Sequence, residues 1–259
     1  MSRLSQLVHL HVMHDPVDVH SHASAAAVGQ ALGSLTLLTF LDIYFLQHRA
    51  IEKLAAALRP LSRLVHLDLS YSDIDGDGLA ALRPALGGLT ALTFLTFYGN
   101  YFHDDGVDID VLAPVLGRLS QLAHLDLGWC KQYNEVPDAL AAQLGHLTAL
   151  TCLKLARFGP GVKVLAPSLP RLPRLARLDL QWVRGNMRDE IDVAEALAPH
   201  LGQLTALTLL DMSHMDISDG GIALLAPALA RLPRLAALNL SYNSLGRPAC
   251  HISRLRWHA

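Results

Sequence analysis

A phrase of spaced leucines occurs nine times in this chain, and it constrains the fold more than any other feature. The phrase reads L-x-x-L-x-x-L-x-[LIVFM], and its copies begin at Leu4, Leu35, Leu61, Leu89, Leu119, Leu147, Leu172, Leu204 and Leu232. Neighbouring copies start 25 to 32 residues apart, a spacing typical of solenoids. Because each unit of a solenoid packs only on its neighbours, the pattern predicts one elongated body with a long binding surface.

The third unit, residues 61–88, illustrates what each copy should form. Alternation of Leu67 and Leu69 predicts a short strand with one buried face. A polar, glycine-rich loop follows, and leucines at three- and four-residue intervals then predict a helix, capped by Asp77 at its N-terminus. Five prolines fall inside the helical stretches of the chain: Pro84, Pro114, Pro167, Pro199 and Pro227. We therefore expect short, kinked helices, or helices that begin close to the proline.

The repeated phrases resemble those of the leucine-rich-repeat family, as in Leu67-Asp-Leu-Ser-Tyr-Ser-Asp-Ile74 and Leu238-Asn-Leu-Ser-Tyr-Asn-Ser-Leu245. The period near 28 residues, with a helix in each unit, is similar to the ribonuclease-inhibitor-like class of that family. The resemblance implies an α/β fold, a right-handed solenoid of about nine repeats shaped as a horseshoe. A parallel sheet would line its concave face and short helices its convex face. We assign residues 1–246 to this solenoid and residues 247–259 to an irregular, basic C-terminal tail.

The position just after each strand departs from the family pattern. The family favours asparagine there, because the side chain binds loop backbone. Asn100 and Asn243 keep this residue, whereas four units carry an apolar one: Leu46, Phe158, Val183 and Met215. Those four turns must satisfy their backbone polar groups in another way.

Aromatic residues concentrate on the predicted concave face. The second, fourth and sixth residues after Leu64 should point out of that face, and the seventh should lie at its rim. The equivalent positions of all units hold nine of the fifteen aromatic residues: Phe40, Tyr44, Phe45, Tyr71, Phe94, Tyr98, Trp129, Trp182 and Tyr242. Aromatic residues are enriched in the cores of protein interfaces. Their preference for strands explains part of the pattern, though not their place outside the leucine positions.

The fourth position forms a middle column that is rich in aspartate. It holds His11, Asp42, Asp68, Thr96, Asp126, Lys154, Asp179, Asp211 and Asn239. A stripe of like charge favours a partner with a basic surface. The alternative is that Leu-Asp-Leu is a common filler phrase of the family.

Composition narrows the classes of function. The net charge of −2 lacks the basic excess of a nucleic-acid-binding protein. No apolar stretch is long enough to cross a membrane, and no secretory signal precedes the first repeat. Three scattered cysteines, Cys130, Cys152 and Cys250, argue against a disulfide framework. We therefore expect the cytoplasm or another reducing intracellular compartment.

Motifs for catalysis or for cofactors are not apparent. The chain has no G-x-S-x-G elbow, no P-loop and no H-E-x-x-H, so we expect a protein that is not an enzyme and holds no cofactor. Five histidines cluster near the N-terminus: His9, His11, His14, His20 and His22. Their spacing matches no zinc module, so we expect no metal site there.

The leading hypothesis is a protein-binding adaptor or scaffold. The first repeat begins without a polar cap and the last gives way to the basic tail, so we expect a subunit of a larger assembly. The predicted protein-binding residues are Phe45, Asp68, Tyr71, Phe94, Tyr98, Asp126, Trp129, Asp179 and Trp182. One alternative is a GTPase-activating protein with Arg157 or Arg177 supplied in trans, since the ribonuclease-inhibitor-like class includes such proteins. The other alternative is an inhibitor that occludes the cleft of an enzyme.

Overall fold

One parallel sheet runs the length of the solenoid. The computed structural model describes residues 6–13, 31–45, 48–100, 108–130, 138–157, 162–182 and 193–246. Within these ranges, nine strands lie side by side in chain order. They are β1 (His9–Met13), β2 (Phe40–Tyr44), β3 (His66–Asp68), β4 (Phe94–Thr96), β5 (His124–Asp126), β6 (Cys152–Lys154), β7 (Arg177–Asp179), β8 (Leu209–Asp211) and β9 (Ala237–Asn239). The nine predicted units are thus confirmed.

The register of the sheet aligns equivalent positions of successive repeats. Leu67 of β3 lies beside Leu41 of β2 and Leu95 of β4, and all three side chains are fully buried. The residues on either side of each central leucine point to the opposite face of the sheet. Each position of the repeat therefore forms a column of neighbouring side chains, one from every unit.

Helices form a second layer across the leucine core. They are α1 (His48–Leu58), α2 (Gly76–Leu86), α3 (Asp108–Leu116), α4 (Asp138–Leu144), α5 (Val162–Leu165), α6 (Val193–Leu201) and α7 (Asp219–Leu229), and the 3-10 helix Ala166–Arg171 continues α5. Neighbouring helices pack against each other along the array. The inner side of α2 shows how they meet the core, because Leu79, Leu82 and Leu86 are fully buried. None of the helices described is long and apolar enough to cross a bilayer.

The predicted cap and loop of the third unit were wrong in detail. The cap of α2 is Asp75, whose Oδ1 accepts a hydrogen bond from the Gly78 N–H at 2.9 Å, and Asp77 lies in the first turn. The glycine-rich loop is shorter than the sequence suggested, since Gly76 and Gly78 are helical. Pro84 does not start the helix either: it lies in the last turn, where only one hydrogen bond near the helix end is lost.

The other prolines follow the same rule with one exception. Pro114, Pro199 and Pro227 also lie late in their helices. Pro167, in contrast, lies at the start of the 3-10 helix, so the α-helical pattern ends at Leu165. The prediction of short helices is confirmed, and the prediction of helices that begin at the proline holds only for this 3-10 segment.

Asparagine side chains tie two of the loops to the next repeat. Asn100 is completely buried. Its Oδ1 accepts from the N–H groups of Ser72 and Ile74, both at 3.0 Å, and its Nδ2 donates to the carbonyls of Leu69 and Phe97 at 2.8 and 2.6 Å. An asparagine therefore holds the loop of the preceding unit together with its own.

The same bonds explain how one apolar turn is satisfied. Asn243 Oδ1 accepts from the N–H groups of Met215 and Ile217 at 3.0 Å. The turn at Met215 thus uses the asparagine of the following repeat. This agrees with the prediction that a turn with an apolar residue satisfies its backbone polar groups in another way. Leu46, Phe158 and Val183 lie outside the described residues, and so does the tail 247–259.

Candidate functional site

A rim column runs along one edge of the sheet, just beyond the ends of the strands. It consists of the seventh position of eight units: Phe45, Tyr71, Gly99, Trp129, Arg157, Trp182, His214 and Tyr242. Every member has a positive φ, between 53° at Tyr71 and 73° at Gly99. Bulky residues rarely adopt this left-handed conformation, and each instance costs about 1–3 kcal/mol. Its repetition at seven non-glycine residues shows that the fold imposes it.

Hydrogen bonds between repeats hold the rim column in this conformation. The Tyr71 N–H donates to the Tyr98 carbonyl at 2.8 Å, and the Arg157 N–H donates to the Gln181 carbonyl at 2.8 Å. Each of the other rim residues from Phe45 to His214 also donates its N–H to a carbonyl of the next unit. The backbone at each rim position therefore has the same conformation, about 4.8 Å from the next unit.

The rim side chains contact each other in two runs. Phe45 stacks on Tyr71 with ring centroids 5.8 Å apart, and Tyr71 meets Tyr98 edge to face at 5.3 Å. In the second run, the Arg157 guanidinium lies 4.9 Å from the Trp129 ring centroid and 6.0 Å from that of Trp182. These are cation–π distances.

The second run continues to the last described repeat. Trp182 stacks on His214 at 4.0 Å, and His214 stacks on Tyr242 at 4.2 Å. Tyr242 is 78% exposed, Tyr71 46% and Trp129 38%. The rim column thus offers organised aromatic surface to solvent.

Gly99 is the one rim residue without a side chain, and the Tyr71 ring packs against its Cα. A Cβ atom at this position would lie 2.7 Å from two carbons of the Tyr71 ring. Tyr71 therefore fills the place that a side chain of residue 99 would take.

A second aromatic stack occupies the second position of the repeats, which we call the inner column. Phe40, His66, Phe94 and His124 stack successively at centroid distances of 3.9, 3.9 and 4.2 Å. His9 packs on Phe40 at 5.3 Å in a tilted arrangement. Phe94, a predicted anchor, is thus clamped between two imidazoles. The sequence predictions missed this stack, although the alternation of His and Phe at equivalent positions signals it.

The middle column has a local structural role. Oδ1 of Asp68 accepts from the Ser70 N–H, and Oδ1 of Asp126 accepts from the Gly128 N–H, both at 2.9 Å. Thr96, Asp179, Asp211 and Asn239 bind the N–H two residues ahead in the same way. The expectation that Ser70, at the sixth position, points into solvent was wrong, because it is only 6% exposed. The Leu-Asp-Leu phrase is therefore favoured by the turn that it caps.

The carboxylates of this column carry less free charge than an exposed acidic stripe. Asp126 is 6% exposed, and its Oδ2 lies 3.2 Å from the Lys154 Nζ. Burial raises the pKa of the Asp126 and Asp179 carboxyls. Among the nine predicted binding residues, Tyr71 and Trp129 on the rim column are exposed, whereas Asp126 is buried and Asp68 and Asp179 are partly buried.

The two arginines considered as catalytic fingers lie in different surroundings. Arg157 is exposed on the rim column with its guanidinium between two indoles. Arg177 is exposed in the inner column on β7. Cys130 and Cys152 are buried free thiols, and burial raises the pKa of both, which opposes a nucleophilic role.

The relatives matched by sequence align with less than half of this chain. No family model matches. The chain is 32% identical over 123 residues to "Capping protein, Arp2/3 and myosin-I linker protein 3" of Mus musculus and 34% identical over 105 residues to that of Rattus norvegicus. These alignments cover 43% and 39% of this chain, but only 9% and 7% of the relatives.

Two solved structures extend the likeness to nearly the whole array. The crystal structure of a TLR13–ssRNA13 complex superposes with a TM-score of 0.58 at 19% identity, over 97% of this chain and 35% of that one. Internalin C2 from Listeria monocytogenes superposes with a TM-score of 0.51 at 22% identity, over 87% and 80%. Together with the nine strands, the helices and the repeated phrase, these likenesses define the chain as a leucine-rich-repeat protein. The ribonuclease-inhibitor-like class stays a prediction.

Proposed function

We propose that this protein is a non-enzymatic adaptor or scaffold that binds another protein along its rim column. The observation that carries the proposal is the left-handed backbone repeated at Phe45, Tyr71, Trp129, Trp182 and Tyr242. Strain at such residues persists where the surroundings enforce it, and it is often associated with function. Here the left-handed backbone holds large rings in a row along the edge of the sheet. The row is about 34 Å long, because its eight positions are separated by seven strand spacings of about 4.8 Å.

The row has the properties of a hot-spot surface. Tryptophan, tyrosine and arginine dominate binding energy at interfaces, and Trp129, Arg157 and Trp182 form one contiguous group. Stacking between neighbours also orders the rings in advance, which lowers the entropy lost on binding. Phe94 and Tyr98 extend this surface toward the sheet. Asp68, Asp126 and Asp179 would shape and orient it, and a basic patch on the partner is part of the proposal.

The relatives agree with this class of function at a coarse level. Their name describes a linker protein, but the chain spans less than a tenth of their length. Because so little of the relatives is matched, we also propose, rather than infer from them, that the protein assembles into a larger complex in a reducing compartment. A protein partner rather than a nucleic acid also belongs to the proposal, given the net charge of −2.

The alternatives make different demands on the same residues. A GTPase-activating role needs Arg157 or Arg177 to reach a nucleotide bound to a partner, and the contacts of Arg157 with two indoles favour recognition instead. Stimulated GTP hydrolysis by the partner, lost in Arg157→Ala or Arg177→Ala, would support that role. Inhibition of a captured enzyme would support the occlusion model.

The test is capture of the partner from the native cell by tagged wild-type protein and by a Trp129→Ala/Trp182→Ala variant. Leu224→Ala is the matched control, because Leu224 is a 48% exposed apolar residue in the helix layer. We expect a protein retained by the wild type and the control and lost by the folded double variant. Loss of a buried anchor should cost at least about 2 kcal/mol of binding. Equal retention by all three would refute the rim column as the interface.

A further inference from the structure

A cluster of metal-ligating side chains lies on the sheet, away from the rim column. Asp42 comes from β2, and His66 and Asp68 come from β3. One ligand atom from each of the three lies within 4.8 Å of those of the other two. His66 Nε2 is 3.0 Å from Asp42 Oδ1. Imidazole and carboxylate together are a common ligand set for divalent transition metals.

An unpartnered buried oxygen points to a missing ligand in this cluster. Asp42 is 8% exposed, and its Oδ1 is enclosed without accepting a hydrogen bond. Its contact with His66 Nε2 at 3.0 Å is an ion pair only when the imidazole is protonated. The other oxygen, Oδ2, lies 3.2 Å from His11 Nδ1. A buried carboxylate oxygen without a partner is costly, and a bound cation would satisfy it.

The charges around the cluster also favour a cation. Asp42 and Asp68 lie directly beside each other in the register of β2 and β3, and like charges at such a pair are destabilising. In the part of the chain that the structure describes, neither carboxylate pairs with a lysine or an arginine. Asp126, by contrast, has Lys154 at 3.2 Å. The first pair of aspartates therefore lacks the fixed positive charge that the later repeat supplies.

His66 is already oriented as a ligand. Its ring is stacked between Phe40 and Phe94 at 3.9 Å on both sides, which fixes the plane of the imidazole. Two zinc bonds of ordinary length at a tetrahedral angle place the bonded N and O atoms about 3.4 Å apart, close to the observed 3.0 Å.

We propose that Asp42, His66 and Asp68 form a binding site for a divalent transition-metal ion of the zinc class. His11 orients the Asp42 carboxylate through Oδ2, a supporting contact of the kind that stabilises metal ligands. The site differs from the N-terminal histidine cluster, for which the sequence predicts no metal. It shares Asp68 with the proposed protein-binding surface but uses no side chain of the rim column.

The experiment measures zinc binding to the untagged full-length chain after removal of metals with a chelator. His14, His20 and His22 are replaced by glutamine in every sample, because they are alternative zinc ligands in sequence. Titration calorimetry gives the affinity and the stoichiometry, and the visible absorption of a cobalt-loaded sample reports the ligand geometry. We expect one zinc ion per chain with a Kd of about 1 µM or tighter.

Matched variants locate the ion. Asp42→Asn and His66→Gln should each weaken zinc binding at least about tenfold. His124→Gln is the control, because His124 stacks on the other face of Phe94 in the same inner column. Circular dichroism verifies folding, and the two ligand variants back each other up if one is unstable. No binding at micromolar zinc, full affinity in both ligand variants, or an equal loss in His124→Gln would each overturn the proposal.

Discussion

Replacing Asn100 with alanine tests whether side chains bridging the repeats hold the array together. Asn100 is fully buried and binds the N–H groups of Ser72 and Ile74 and the carbonyls of Leu69 and Phe97. The Phe97 carbonyl keeps a second donor, the Cys130 thiol at 3.2 Å, so three backbone groups lose an essential partner. At about 1 kcal/mol for each net hydrogen bond, the free energy of unfolding should fall by about 3 kcal/mol.

Urea unfolding followed by circular dichroism measures this loss. With a slope of about 3 kcal/mol per molar urea for a chain of this size, the midpoint should fall by about 1 M. Hydrogen exchange should accelerate at the amides of Ser72 and Ile74 before it does elsewhere. Asn243→Ala is the control, since Asn243 makes the same four bonds but is only partly buried. Water can replace its bonds, so we expect about 1 kcal/mol there; an equal loss in the two variants would refute the reasoning.

Three further predictions concern single positions. Gly99→Ala should destabilise by about 1–3 kcal/mol, because of the positive φ and the Tyr71 ring, and a double-mutant cycle with Tyr71→Ala should recover the part due to the ring; additive losses would deny that contact. Asp75→Ala should cost about 1 kcal/mol in thermal unfolding and Asp77→Ala only about 0.3 kcal/mol, and the reverse order would restore Asp77 as the cap. Burial lowers the pKa of His124 to about 4 from its ordinary 6.5, so the unfolded chain binds the extra proton and stability should fall as the pH drops from 6.5 to 4. In His124→Phe, the urea midpoint should depend less on pH between 6.5 and 4. An unchanged dependence would contradict the role of His124 in this loss of stability.

The strands could be predicted from the sequence because the leucine phrase states both their position and their register. Leu67 and its equivalents recur once in every repeat, and the same residues form the buried face of the sheet. The helices were predictable as elements but not at their ends. Asp75 and Asp77 are both suitable caps, and only the loop geometry, with Ile74 held by Asn100, selects the first.

The rim column was predictable in position but not in conformation. Aromatic residues at the seventh position stand out in the sequence, but nothing about Trp129 or Trp182 indicates a left-handed backbone, since such residues normally avoid it. The conformation is a consequence of hydrogen bonds between units. The ring contacts that follow join residues about 25 to 32 positions apart, which a reading of one unit at a time does not reveal.

The middle column was the least predictable part of the site. A run of aspartates at one repeat position reads as exposed charge, whereas Asp68 and Asp126 are used to bind the backbone two residues ahead. Burial of Asp42 beside His66 depends on packing between β2 and β3. Composition and spacing carry no information about these contacts, so the proposed metal site emerges only from the structure.

The most direct test of the rim column as the interface is site-specific crosslinking in the native cell. A photo-crosslinking phenylalanine analogue replaces Tyr242 or Trp129 on the rim column in separate samples, and Leu224 in the helix layer as the control, all three being exposed. We expect covalent adducts with the same partner protein from both rim positions and none from Leu224. Adducts from Leu224 alone, or adducts with that partner at equal yield from all three positions, would contradict the rim column as the interface.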